Sequence, residues 1–248
     1  MTIPILRPVL AFDTATPTAR VAVVSPDGEC AVLRERTAAR HSANLLALCD
    51  EVLREARLGV AGLAAIVCGA GPGSFTGLRV GLAVAKGLAL PTGLPLVLVS
   101  SLDALASDLA ARAPQAAVLL PCLDAGKGQV YARLYSGSAP PESIGTSDWT
   151  VSPADLVRLA QEAVAGSSAW HNRPIIAGGN GLDRYQDVFA AGWGKDAISP
   201  MLPGPSARSV ARLGLARLAR GEHDDIETAV PRYGRPPDIT KPKRALLL

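Results

Sequence analysis

A repeated hairpin is the feature that most restricts the fold. Residues 9–13 (VLAFD) form a short apolar run ending in Asp13. A Thr/Pro-rich turn follows, and residues 20–25 (RVAVVS) resume an apolar run. The same order returns at 117–124 (AVLLPCLD), which ends in Asp124, turns through 125–128 and continues as the alternating run 129–135 (QVYARLY). The two aspartates lie 111 residues apart, each closing the first strand of its hairpin. Short apolar runs bounded by turn residues read as strands. The pattern therefore implies one α/β unit present twice, with the join near Ala113 and Pro114.

The segments around the hairpins fit that reading. Pro26, Asp27 and Gly28 turn the chain into a third strand at 30–35. Residues 41–58 carry Leu45, Cys49, Val52, Leu53 and Ala56 at three- and four-residue spacing, an amphipathic helix stopped near Gly59. A strand at 63–68, a glycine-rich turn, a helix at 76–90 ended by Pro91, a strand at 94–99 and a helix at 101–112 capped by Ser100 or Ser101 complete the first half. In the second half, a helix at 154–165 follows Ser152 and Pro153, a strand at 174–177 leads into a Gly178–Gly181 turn, and a last helix spans 207–220. Residues 136–150 read as a loop-rich insert. The expected division is 1–113 for the N-terminal subdomain, 114–230 for the C-terminal one, whose last helix packs back on the first, and 231–248 for a tail.

Charge narrows the partners. The 248-residue chain has a formal net charge of +3, yet residues 231–244 alone contribute +4, leaving the rest at −1. A nucleic-acid-binding face spread over the body is not indicated. The tail reads either as a contact for RNA phosphate or as a solvated, Pro-rich terminus. Cys30, Cys49, Cys68 and Cys122 are far apart and show no CxxC or zinc-finger spacing, which suits a reducing, cytoplasmic setting. The apolar stretch 81–99 is cut by Lys86, Pro91 and Pro95, which argues against a membrane span.

Two features are candidates for chemistry. GPGSFTGLRVG (residues 71–81) follows a strand and opens a helix, so its backbone N–H groups and the helix dipole could hold an anion. It has no Lys-Ser/Thr pair after the glycines, and Gly71, Gly73 and Gly77 do not give GxGxxG. The alternative is a tight turn in which Gly71 and Gly73 permit positive φ, Ser74 or Thr76 caps the helix, and Gly77 and Gly81 allow close packing. Asp13 and Asp124 either cradle a nucleotide phosphate and its metal between the two halves or bind local N–H groups, as turn aspartates do. Asp13, Gly71, Gly73, Asp124, Gly178 and Gly179 are thus the candidate nucleotide residues, with ATP or ADP as the ligand such a site would take. His41, His171 and His223 show no metal-ligand spacing, and no GxSxG elbow is present. No catalytic set and no metal site follow from the sequence.

Several motifs together carry a resemblance. The run FDTATPTARVAVV (12–24), the HSxxLL opening at 41–46, CGAGPGSFTGLRVGLAVAKGLA (68–89), LDAGKGQVYARLY (123–135) and the PxYxR element of Pro231, Tyr233 and Arg235 resemble the TsaB family, formerly called YeaZ. The resemblance covers most of the chain and is weakest over 136–225. It implies the duplicated actin/Hsp70/sugar-kinase-like (ASKHA) α/β fold, with two subdomains built on mixed sheets. It also implies a part in making threonylcarbamoyladenosine beside the tRNA anticodon. There the chain would be a non-catalytic subunit, needing no cofactor, that stabilises TsaD and helps recruit the ATPase TsaE, with tRNA reached only through the complex. The partner helices carried over are 41–58 and 76–90, with Leu45, Cys49, Val52, Gly77, Gly81 and Val84 as contact positions and a homodimer expected when TsaD is missing. Gly126 and Gln129 stand where the family often has Arg and Glu, which puts a charged site there in doubt. The alternative reading is an ATP-dependent small-molecule kinase or ATPase of the same fold.

Overall fold

The computed structural model describes residues 5–37, 45–114, 116–194, 197 and 202–235. Strands β1 (Val9–Asp13), β2 (Thr18–Val24) and β3 (Cys30–Thr37) form an antiparallel meander, and β4 (Ala65–Gly69) and β5 (Leu96–Val99) add parallel to β1, in the order β3-β2-β1-β4-β5. The second sheet repeats the scheme. Here β6 (Val118–Gly126), β7 (Gln129–Ser136) and β8 (Ser143–Val151) run antiparallel, and β9 (Ile175–Gly178) adds parallel to β6, in the order β8-β7-β6-β9. Two mixed sheets with matching connectivity are the duplicated actin/Hsp70/sugar-kinase-like fold. The loop-rich insert expected at 136–150 is instead the third strand of the second sheet, β8, which completes the match with β3. Its Gly145 and Asp148, residue types depleted in strands, and the serines at 143 and 147 hid the strand pattern.

Alternation in β1 and β4 places the cores. Leu10, Phe12, Ile66 and Cys68 pack on one face of the first sheet, and Val9, Ala11, Ala65 and Val67 on the other. Strands covered on both faces read as unbroken apolar runs. Helices α1 (Leu45–Glu55) and α2 (Phe75–Ala89) cover the first face. The other is covered by α7 (Ala207–Ala219), where the lack of a side chain at Gly214 lets the helix rest on Val67. Helix α4 (Pro153–Ala165) and the short α5 (Asn180–Arg184) and α6 (Gln186–Trp193) pack on the second sheet. His41 and its neighbours, expected to open the first helix, lie outside the described residues.

Helix α3 (Ser101–Ala110) joins the two halves. Leu102, Leu105 and Leu109 pack with Leu119, Leu123, Tyr131 and Tyr135 of the second sheet, while Ala104 faces the first. Four helices, α2, α3, α4 and α7, start at Ser74, Ser100, Ser152 and Ser206, each accepting a hydrogen bond from the N–H three residues on. Such caps satisfy a donor that the helix itself leaves open. Ser100 is the cap of α3, which frees Ser101 for another role.

Candidate functional site

A cleft of about 640 Å³ opens between the two sheets. Its walls come from the β1–β2 turn (Ala15, Pro17), the start of α2 (Gly73, Ser74, Phe75, Arg79), the β6–β7 turn (Asp124, Ala125, Gly126), Tyr131, Asn180, and Tyr233 and Arg235 near the end of the described chain. The duplicated hairpins put both aspartates at this end of their sheets, but the two are used differently.

Asp13 is fully buried. Its Oδ1 accepts from the Ala15 N–H at 2.8 Å and its Oδ2 from the Ser101 hydroxyl at 2.6 Å. The carboxylate lies directly over Gly69, where any Cβ would run into it. Burial pushes its pKa above the ordinary value, although both hydrogen bonds pull it down. Asp13 does not line the cleft, and both of its oxygens are engaged by the protein. Asp124 does line it. Its Oδ1 accepts from the Gly126 N–H at 2.9 Å, the same two-residue turn that Asp13 makes with Ala15, and its Oδ2 pairs with Arg184 Nη1 at 2.9 Å. Asn180 accepts the Asp124 N–H through Oδ1 at 3.1 Å.

The glycines follow the same division. Gly71 has φ +100° and is walled in by Leu78 and the Arg232 carbonyl; its N–H donates to Ser101 Oγ. Gly73 has no positive φ. Its place is fixed by Ala15, whose Cβ and carbonyl oxygen would both lie 2.5 Å from a Cβ at this position. Gly178 and Gly179 face Leu109 and the Cys122 carbonyl, inside the fold. Of the six expected nucleotide residues, the structure brings Gly73 and Asp124 to the cleft and turns Asp13, Gly71, Gly178 and Gly179 into packing positions.

Phe75, Arg79, Tyr131, Tyr233 and Arg235 also line the cleft, and the sequence does not mark them as cleft residues. Arg79 stacks its guanidinium 3.9 Å from the centre of the Phe75 ring and donates through Nε to the Tyr233 hydroxyl at 3.0 Å. Phe75 and Arg79 were legible as members of GPGSFTGLRVG, and Tyr233 and Arg235 as members of PxYxR; what the sequence could not give was their meeting.

The expected partner contacts also need correction. Leu45, Cys49 and Val52 are at most 1% exposed and lie in the first core. Gly77 and Gly81 face Thr14: a Cβ at Gly77 would run into its carbonyl oxygen, and one at Gly81 into its hydroxyl. Thr14 Oγ1 completes the contact by donating to the Gly77 carbonyl at 2.8 Å. These five positions hold the fold together and present nothing outward. Val84 is half-buried at the edge of the same core. The outward surface of α2 is instead Thr76, Arg79, Ala83 and Gly87, continued by Leu90, which is 68% exposed. Leu46 on α1 is 54% exposed.

Residues 29–218 match the family model for tRNA N6-adenosine threonylcarbamoyltransferase, TsaD. The chain belongs to this family. Within it the chain is of the TsaB type. It is 29% identical to the tRNA threonylcarbamoyladenosine biosynthesis protein TsaB of Escherichia coli (strain K12), over 92% of this chain and 94% of that protein. The Haemophilus influenzae protein of the same name is 38% identical over 49% of this chain and 51% of its own length. The solved structure of YeaZ from Pseudomonas aeruginosa superposes with a TM-score of 0.73 at 27% identity, covering 92% of this chain and 99% of that one. Among the described residues, no helix is long and apolar enough to cross a membrane, and no group of three or more His, Cys, Asp or Glu side chains converges.

Proposed function

We propose that this chain serves tRNA threonylcarbamoyladenosine biosynthesis as a non-catalytic subunit that binds and stabilises a TsaD-type enzyme. The observation that carries the reading is the outer face of α2. Ala83 and Gly87 present little more than backbone to solvent, and Leu90 at the end of the helix is 68% exposed. Small residues let another backbone approach closely, and an exposed large apolar side chain beside them supplies area to bury. In this reading TsaE is recruited by the assembled pair, tRNA meets this chain only through the complex, and the site of action is the cytoplasm.

The competing reading is an ATP-dependent kinase or ATPase acting in the cleft. It needs a carboxylate at the β1–β2 hairpin that can reach a metal-bound phosphate, and Asp13 is sealed under Ser101 and over Gly69. The separating experiment is gel filtration of the chain with its TsaD, comparing wild type with the Ala83→Arg, Gly87→Arg double variant. The expected result is a heterodimer that the double variant loses while keeping its thermal midpoint. A wild-type chain that never associates with TsaD overturns the subunit reading. ATP turnover by the isolated chain, abolished in Asp13→Asn, establishes the kinase reading in its place.

A further inference from the structure

The expected solvated tail begins with a built element. From residue 231 to 235 the chain crosses the cleft mouth and is attached on both banks. On the first half, the Arg232 N–H donates to the Ala70 carbonyl at 2.8 Å, and Tyr233 takes the hydrogen bond from Arg79 while its ring lies 5.0 Å from that of Phe75. On the second half, Thr150 Oγ1 of β8 donates to the Gly234 carbonyl at 3.0 Å, and Arg235 Nη1 donates to Gln129 Oε1 of β7 at 3.4 Å. Gly234 sits between these banks because a Cβ there would lie 2.5 Å from the Tyr131 ring and 3.3 Å from Pro72.

We propose that residues 231–235 are a clasp that holds the two halves together across the cleft and opens as one unit. Three features support this. The segment has no helix or strand of its own, so its order comes only from its attachments. Arg232 and Tyr233 are tied to the first half and Gly234 and Arg235 to the second, so tension between the halves loads the attachments in series. Tyr233 and Arg235 also form one wall of the cleft, so access to the cleft and seating of the segment are the same event. Segments held by a few side-chain contacts lie at the low-stability end of a fold and open without global unfolding. The clasp does not depend on the partner reading, since each of its contacts is internal to this chain.

Amide hydrogen exchange on the full chain tests the idea, using Tyr233→Ala, Thr150→Val and their combination, with a chain ending at Ala229 as the fully released reference. Tyr233→Ala cuts an attachment to the first half and Thr150→Val one to the second. Each single variant is expected to speed exchange at Gly73, Ser74 and Gly126 by about tenfold, the effect of losing one or two net hydrogen bonds. The double variant is expected to add little to either single one, because a strap released at one end is already released. Protection in the interior of β1 and β6 serves as the control for folding and stays unchanged. Two outcomes overturn the clasp. One is exchange in the chain ending at Ala229 that matches wild type at the cleft amides. The other is single-variant effects that multiply in the double variant, which would make them separate local contacts.

Discussion

Three glycines on one helix face different surroundings, and that contrast yields the most informative prediction. In α2, a Cβ added at Gly87 meets nothing within 4 Å, whereas one at Gly77 or Gly81 runs into Thr14. Gly87 is exposed and has ordinary helical backbone, so Ala fits there without strain. Gly in a helix interior costs roughly 0.5–1 kcal/mol relative to Ala, because the unfolded chain loses more freedom on folding. Gly87→Ala is therefore expected to stabilise the isolated chain by about that amount. For a chain of this length that corresponds to a rise of roughly 1–4 °C in thermal midpoint. The same methyl group should impair TsaD binding if the α2 face meets its partner at backbone distance, in the way overpacking impairs a core, by roughly 1–3 kcal/mol. Gly77→Ala is the control. It should lower the midpoint or prevent folding, since the Thr14 carbonyl cannot move without disturbing the end of β1. Scanning calorimetry on the free chain and titration calorimetry with TsaD read the two quantities separately. A fall in midpoint for Gly87→Ala refutes the assignment of an open helix face. A rise in midpoint with unchanged affinity refutes the close-packed interface while leaving the fold argument intact.

Two further predictions follow from burial. Asp13 has its folded pKa raised above the ordinary value of 3.8, mainly by desolvation. A raised carboxyl pKa gives stability that is fully present below the unfolded value and is lost as pH rises through the folded value. Wild type should therefore lose stability relative to Asp13→Asn as pH is raised from about 4, measured as urea midpoints across a pH series; a constant difference would mean that Asp13 is not desolvated. Of the four cysteines, Cys49, Cys68 and Cys122 are buried, and burial pushes the Cys49 thiol up to about 12, while Cys30 is only half-buried. A thiol reagent at pH 8 should modify one cysteine per native chain, at Cys30, and four in denaturant; rapid native modification of Cys68 would contradict the packing of β4 against α1 and α2.

The succession of strands and helices in the first half and the duplication were legible because they depend on period and turn chemistry, which are local. Runs such as VLAFD and AVLLPCLD, short and bounded by turn residues, read as buried strands, and Ser before a helix run marks a cap. β8 escaped because SIGTSDWTV has little alternation; it is a strand because β7 offers it an edge, and that edge exists only after β6 and β7 have paired. The site shows the same division more sharply. The glycines of GPGSFTGLRVG serve different needs: positive φ at Gly71, the approach of Ala15 at Gly73, and Thr14 at Gly77 and Gly81. A helical pattern reveals which residues share a face but not which face the rest of the chain will cover. Leu45, Cys49 and Val52 formed the apolar stripe of α1, and a stripe of that kind is buried by the nearest sheet before any partner arrives. What remains for a partner is the other side of the helices, where small and polar residues stand beside the exposed Leu46 and Leu90. The same logic explains Asp13 and Asp124. Asp13 ends β1 while Asp124 lies two residues before the end of β6, yet each accepts the N–H two residues on, so the repeat holds at the level of this local contact. Only the residue that comes from elsewhere in the chain, Ser101 for one and Arg184 for the other, decides that the first is sealed inside and the second faces the cleft.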